Sequence, residues 1–323
     1  MNTKDDVTPR WVHLYAVLVA FATLILVIAG ALVTSNDAAL SIPSWPAPFH
    51  WPAAMGPGGR FELTHRVVAA SVSTLTVILA LLLWKFEPRR WVRRLGAAAV
   101  LTVLAQAILG GITVLLDLPV LTSVGHACLG QIFFCVMVSL AWFTRPKFRW
   151  DEPKVTDRST PPLRALTAAT TGLIFVQLIL GAAFRHTSGL RAESAPALHG
   201  FGILPHVVGA GVVTVAVLWT LVRCMVGLGN ERRLARPASI LTGLLVAQVG
   251  LGIGSYWVLW ANADAPQPLP PVIAATTAHV ALGALVLAAS LILTIQTFQI
   301  VERAIGILPM DSHGQDARAT AAV

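Results

Sequence analysis

The chain has 323 residues, of which 56% are hydrophobic and only 12% charged, proportions that exclude an ordinary soluble domain. A formal net charge of +8 would suit a nucleic-acid partner. The basic residues instead crowd into alternate loops between apolar runs, so the excess reads as a membrane-topology signal and no nucleic acid is expected.

Taken in chain order, eight apolar runs cover roughly 11–34, 63–84, 95–116, 120–143, 163–185, 203–226, 238–260 and 272–298. Each has the length, about 20 residues, that crosses a bilayer as helix. The expected fold is an all-α integral membrane protein with eight transmembrane helices. The basic loops hold Lys85, Arg89, Arg90, Arg93 and Arg94, then Arg145, Lys147, Arg149, Lys154, Arg158 and Arg164, then Arg223, Arg232, Arg233 and Arg236. The other side has only Arg60, Arg66, Arg185 and Arg191. The positive-inside rule then puts both termini in the cytoplasm of a cell whose inner (plasma) membrane the chain crosses repeatedly. No cleavable signal peptide is expected, because the first run is too long. Cys128, Cys135 and Cys224 fall within helices, so no outer disulfide is expected.

The first outer loop, from Thr34 to Phe61, is rich in Pro and Trp (Pro43, Trp45, Pro46, Pro48, Trp51, Pro52) and suits an interfacial lid or a plain connection. A tight turn around Asp117-Leu118-Pro119 joins the third and fourth runs. The inner loop 144–162 divides the chain, and the second part repeats the first. Gln106 recurs as Gln248, His65 as His206 and His126 as His279, while Gly30 matches Gly181. Two duplicated four-helix bundles follow, with halves at 1–150 and 151–323.

Four histidines, His65, His126, His206 and His279, begin the even-numbered runs, two in each half. Each is followed four residues later, one turn deeper on the same face, by Ala69, Gly130, Ala210 or Gly283, which leaves space for a flat macrocycle. Two facing imidazoles in a four-helix bundle are a natural axial pair for heme iron. Zinc or copper would want more ligands in a tighter cluster. Gln106 and Gln248 read as interhelical hydrogen-bonding residues. Only the first half carries Glu62, three residues before His65, and Arg66, one after it. Ionisable groups at that depth need a reason. They are candidates for chemistry on a bound heme, for contacts to a heme propionate, or for an interfacial ion pair. Arg185 and Arg191 are candidates to pair with heme propionates on the outer side, or are ordinary loop charges; His186, His199 and His50 have no assignable partner, and His13 and His313 are read as incidental.

The eight runs, the duplication, the four histidines and the string Glu62-Leu63-Thr64-His65-Arg66 resemble the heme A synthase family of cytochrome oxidase assembly enzymes. The resemblance implies that His206 and His279 ligate a permanent heme b, the iron cofactor of the C-terminal half. It implies that His65 and His126 hold the substrate, heme O, with Arg66 beside it and the heme sites toward the outer face. Glu62 would serve the oxidation of a porphyrin methyl group to a formyl group by successive hydroxylations. A heme O synthase as donor, an electron acceptor of unknown identity, surrounding lipid and homo-oligomers are the implied partners. One departure stands out. Many members carry a C-P-D-W-P-L-C-like stretch in the first outer loop, where this chain reads Ile42-Pro43-Ser44-Trp45-Pro46-Ala47-Pro48, without cysteine. The principal alternative is a diheme cytochrome b-type membrane electron carrier, and a transporter built from repeats is the third reading.

Overall fold

A computed structural model describes residues 8–46, 56–146, 148–150, 152, 154–187, 202–226 and 231–303. Pro48, His50, Trp51, Pro52, Lys147, Arg191, His199 and His313, singled out above, lie outside the described residues. Among those described are eight helices: α1 (Arg10–Ser35), α2 (Pro57–Phe86), α3 (Arg90–Leu115), α4 (Val120–Phe143), α5 (Leu163–Thr187), α6 (Leu204–Val226), α7 (Arg232–Ala261) and α8 (Pro270–Ile300). All eight are long and apolar enough to span a membrane. Helix is the form the sequence must take there, since hydrocarbon offers no partner for a free backbone N–H or C=O. Large side chains such as Leu81, Leu121, Val215 and Trp257 stay exposed on the bundle surface, as a lipid-facing surface requires.

In each half the helices close a ring: α1–α2–α3–α4 in the first, α5–α6–α7–α8 in the second. Each ring has its own core, around Val72, Leu79, Phe133 and Met137 in one and Val217, Leu241, Leu287 and Leu293 in the other. A smaller cluster of Phe134, Ala284 and Ala288 seals the seam, where α1 and α4 meet α8 and α4 meets α5. Hydroxyl pairs such as Thr170–Thr220 (3.0 Å) and Thr171–Ser290 (2.8 Å) tie the second ring together. The turn before α4 places Asp117 (φ 56°) and Leu118 (φ 61°) in left-handed conformation. The Leu118 amide caps α3 by donating to the Thr113 carbonyl at 2.8 Å.

Several helices run further than hydropathy alone marks. α2 begins at Pro57, not near residue 63, because proline suits the first helical turn, where its missing N–H has no partner to lose. α7 starts at Arg232 and runs through Pro237. Arg90, Arg93, Arg94, Arg232, Arg233 and Arg236 are therefore helical residues and not loop residues, their charges carried at the helix ends.

A short parallel ladder pairs β1 (Val155–Asp157), in the connection between the halves, with β2 (Val301–Arg303), directly after α8. No apolar periodicity announces it. Asp157 anchors the connection: its carboxylate accepts from the backbone amides of Leu163 (2.6 Å) and Ser159 (3.1 Å) and faces Arg223 at 3.6 Å. Burial alone would push this carboxyl up, but these donors outweigh it and hold it below its ordinary value of 3.8. A depressed pKa means stabilisation that is present at neutral pH and lost as pH falls through the folded value. Asp157→Asn is expected to cost about 1–2 kcal/mol at neutral pH. Thermal unfolding in detergent should show the gap to wild type closing on acidification below about pH 4.

Candidate functional site

The four histidines stand near the N-terminal ends of α2, α4, α6 and α8, all at one end of the two bundles, the histidine end. Each ring lies against a glycine of the preceding helix: His65 on Gly30, His126 on Gly110, His206 on Gly181 and His279 on Gly252. A β-carbon at those glycines would come within 3.3, 2.8, 2.9 and 3.0 Å of the ring, respectively. The glycines thus let each imidazole sink between two helices, which fixes its direction into the ring of four. Gly181→Ala is expected to displace His206 and strip the C-terminal histidine pair of any ligand it binds, whereas Gly250→Ala, with nothing within 4 Å, is silent. Absorption spectra of the two purified variants would make the comparison.

In the second half the two rings meet: the centroids of His206 and His279 are 6.2 Å apart with planes at 78°. In the first half His65 and His126 stand on α2 and α4, two helices of the same ring. Metal–imidazole bonds are about 2 Å long, so two rings at this separation can face one metal from opposite sides. Among the described residues no group of three or more His, Cys, Asp or Glu converges. Two imidazoles without further protein ligands suit an iron whose other four positions a porphyrin fills. The Nδ1 atoms of His65, His126 and His279 are buried without a hydrogen-bond partner, as are the Oε1 atoms of Gln106, Gln177 and Gln248. Orphaned polar atoms beside ligand-type imidazoles fit a bound group better than a sealed apolar core.

The glutamines are the part of the site that sequence reading undervalued. Gln106 Nε2 donates to the His126 carbonyl at 2.9 Å. Gln177 Nε2 donates to the His206 carbonyl at 2.7 Å and lies 3.0 Å from His206 Nδ1. Gln248 Nε2 lies 3.4 Å from a ring nitrogen of His279. Gly130 and Gly283, expected to leave room for a macrocycle, leave it for Gln106 and Gln248: a β-carbon there would sit 3.1 and 3.2 Å from the amide nitrogens. Gln177 escaped notice because it breaks no pattern in a two-fold repeat. The signal for it is a shorter period, since Gln106, Gln177 and Gln248 recur at a constant 71 residues, each four before its glycine.

Glu62 and Arg66 form a clasp on the first loop. Arg66 bonds Glu62 Oε1 at 2.5 Å and donates to the carbonyls of Ser44 (2.5 Å) and Ile42 (2.8 Å). Glu62 Oε2 accepts the Ile42 amide at 2.8 Å, and Glu62 is only 3% exposed. The loop then runs to Trp45, whose indole packs on Gly111, next to the glycine under His126. The clasp so draws the loop across the histidine end of the first half. Arg185, at the end of α5, donates to the Thr34 carbonyl at 2.7 Å and faces Asp37 at 3.4 Å, joining the halves. His186 follows it in the last turn of α5. His13 lies far from these residues, 3.4 Å from Thr144 at the opposite end. The three cysteines are free thiols, Cys128 and Cys135 in α4 and Cys224 in α6.

Residues 59–205, which include Glu62, His65, Arg66, His126 and the loop to α6, match the family model of cytochrome oxidase assembly proteins, COX15-CtaA. Through this segment, rather less than half of its length, the chain is similar to that family. Proteins named heme A synthase from Staphylococcus aureus are similar: that of strain MSSA476 is 32% identical over 102 residues, and those of strains JH9 and Newman are 31% identical over the same length. The aligned part covers 31% of this chain and 34% of each relative, so the chain matches about a third of their length.

Proposed function

We propose that this protein is a heme A synthase of the plasma membrane, an oxidoreductase that converts the porphyrin methyl group of heme O to a formyl group by successive hydroxylations. The observation that carries the reading is the difference between two otherwise parallel sites. Both halves aim two glycine-seated histidines inward, but among the described residues only the first adds a buried carboxylate–guanidinium pair, fastened to the loop that follows α1. An electron carrier needs two relays and no such addition.

In this reading His206 and His279 hold a resident heme b, and His65 and His126 hold heme O, with both sites toward the outer face and both termini cytoplasmic. Heme b, when bound, supplies a one-electron relay to an external acceptor. The chain's own residues do the rest. His65 and His126 fix the substrate at the histidine end of the first bundle. Arg66, through Ser44 and Ile42, keeps the loop closed over it and excludes water. Glu62 accepts the proton released as the methyl group is oxidised, a task suited to a carboxylate held out of water. Protonation neutralises Glu62 and weakens its bond to Arg66, so the loop can loosen when product is ready to leave. The absence of cysteine from the first loop is compatible with this scheme, because the loop is fastened here by Glu62 and Arg66 and needs no thiol.

The test is expression in cells that make heme O and have no heme A synthase of their own. Heme A in the extracted pigment is the expected result, and heme O alone overturns the proposal.

A further inference from the structure

The four histidine sites share one construction, and one of them lacks a part. On α3, α5 and α7 a glutamine stands one turn before the glycine that seats the ring: Gln106 before Gly110, Gln177 before Gly181, Gln248 before Gly252. Each reaches across to the histidine of the next helix, at its carbonyl for His126, at carbonyl and ring for His206, and at the ring for His279. On α1 the corresponding residue before Gly30 is Leu26, which is 9% exposed and packs in the core that also receives Ala69, one turn below His65. His65 Nδ1 is buried and unpartnered, and nothing on α1 can supply it with an amide. The Nδ1 atoms of His126 and His279 are unpartnered too, but each of those histidines has a glutamine at its carbonyl or ring, and His65 has none on the preceding helix.

From this asymmetry we infer that the glutamines are positioning residues that lock three of the axial histidines, and that His65 is the labile ligand of the set. The inference rests on the heme reading above. A ligating imidazole is oriented and made a stronger donor when its second ring nitrogen is hydrogen-bonded, and a bond to the histidine's own carbonyl steadies the stretch of helix that carries it. In a membrane interior a hydrogen bond of this kind has no water to compete with it. The C-terminal pair has two locked rings and suits a permanent resident. The N-terminal pair has one histidine tethered through its backbone carbonyl, His126, and one with no glutamine tether at all, His65, and suits a guest that must enter and leave. The untethered histidine is also the one flanked by Glu62 and Arg66, so the ligand that lets go adjoins the loop that opens.

Ligand lability can be read without turnover. The full-length protein, purified in detergent and loaded with heme O, is reduced with dithionite and mixed with carbon monoxide. In the exchange the bond from the His65 nitrogen to ferrous iron breaks and an iron–carbon bond forms, with no change of oxidation state. The expected result is binding at one heme, the N-terminal one. Leu26→Gln, which installs the missing amide in a side chain of nearly the same size, should slow that binding about tenfold, the worth of one good hydrogen bond. Leu26→Met should leave the rate unchanged, because it alters packing and adds no amide. Gln177→Leu works in the other direction and needs no new polar group in the core. It should open the C-terminal heme to carbon monoxide while the low-spin spectrum without the gas stays bis-histidine.

Equal rates in wild type and Leu26→Gln, equal slowing by Leu26→Met, or a C-terminal heme that stays closed in Gln177→Leu would each overturn the inference while leaving the enzyme reading intact. Unmodified protein that carries no bis-histidine heme would overturn the enzyme reading itself.

Discussion

His206→Ala and His279→Ala are each expected to abolish the low-spin heme b spectrum of the purified protein. The two rings face each other at 6.2 Å, and removal of either would leave a heme iron held between them with one protein ligand. No other base can replace it: among the described residues no third His, Cys, Asp or Glu joins the pair. The glycine seat makes the loss local, since Gly181 or Gly252 faces a small void in place of a ring and the core around Val217, Leu241 and Leu287 lies deeper in the bundle. The N-terminal pair belongs to a different ring of helices with its own core, so substrate heme should remain bound there. Absorption spectra at low temperature distinguish the outcomes. A variant that keeps an unchanged bis-histidine signal would remove His206 and His279 from the site.

Glu62→Gln should stop product formation without unloading either heme. The substitution is nearly isosteric and touches no histidine. An amide oxygen can still accept the Ile42 amide, but the opposite amide nitrogen cannot accept from Arg66, so one of the two arms of the clasp is lost. Arg66 keeps its bonds to Ser44 and Ile42, which limits the cost to folding. What disappears is the group able to take a proton, and general-base catalysis of this kind contributes about 10²–10⁴-fold. Heme O, with some hydroxylated intermediate, should therefore accumulate in cells whose only copy carries this change. Heme A at the wild-type level would reduce Glu62 to a fastener of the loop.

Much of this was legible in the sequence, for reasons that differ by feature. The eight helices follow from hydropathy, because backbone hydrogen bonding in hydrocarbon leaves helix as the form such runs can take. The helix ends were less legible, since Pro57, Pro237 and the arginines of α3 and α7 sit in helical turns beyond the apolar runs. The histidines stood out because imidazole is rare at that depth. Gly30 and Gly181 appeared as landmarks of the repeat, but that they seat the rings is a matter of helix contact that spacing does not express. Gln106 and Gln248 read as helix-to-helix bonds, and Gln106 makes one, yet their aim at the histidines needed the geometry. Gln177 was missed because a two-fold comparison pairs Gln106 with Gln248 and passes over the copy midway. The fastening of Ile42 and Ser44 by Glu62 and Arg66 could not be read at all, as a loop contact across twenty residues has no periodic signature.

The proposed function requires that the two halves hold different hemes, one resident and one being oxidised. Its most direct test is chromatography of the pigments extracted from the purified full-length protein, expressed in cells that supply heme O. Heme b together with heme O or heme A is the expected result. Heme b alone, in an amount matching two sites per chain, would contradict it and assign the protein to electron transfer.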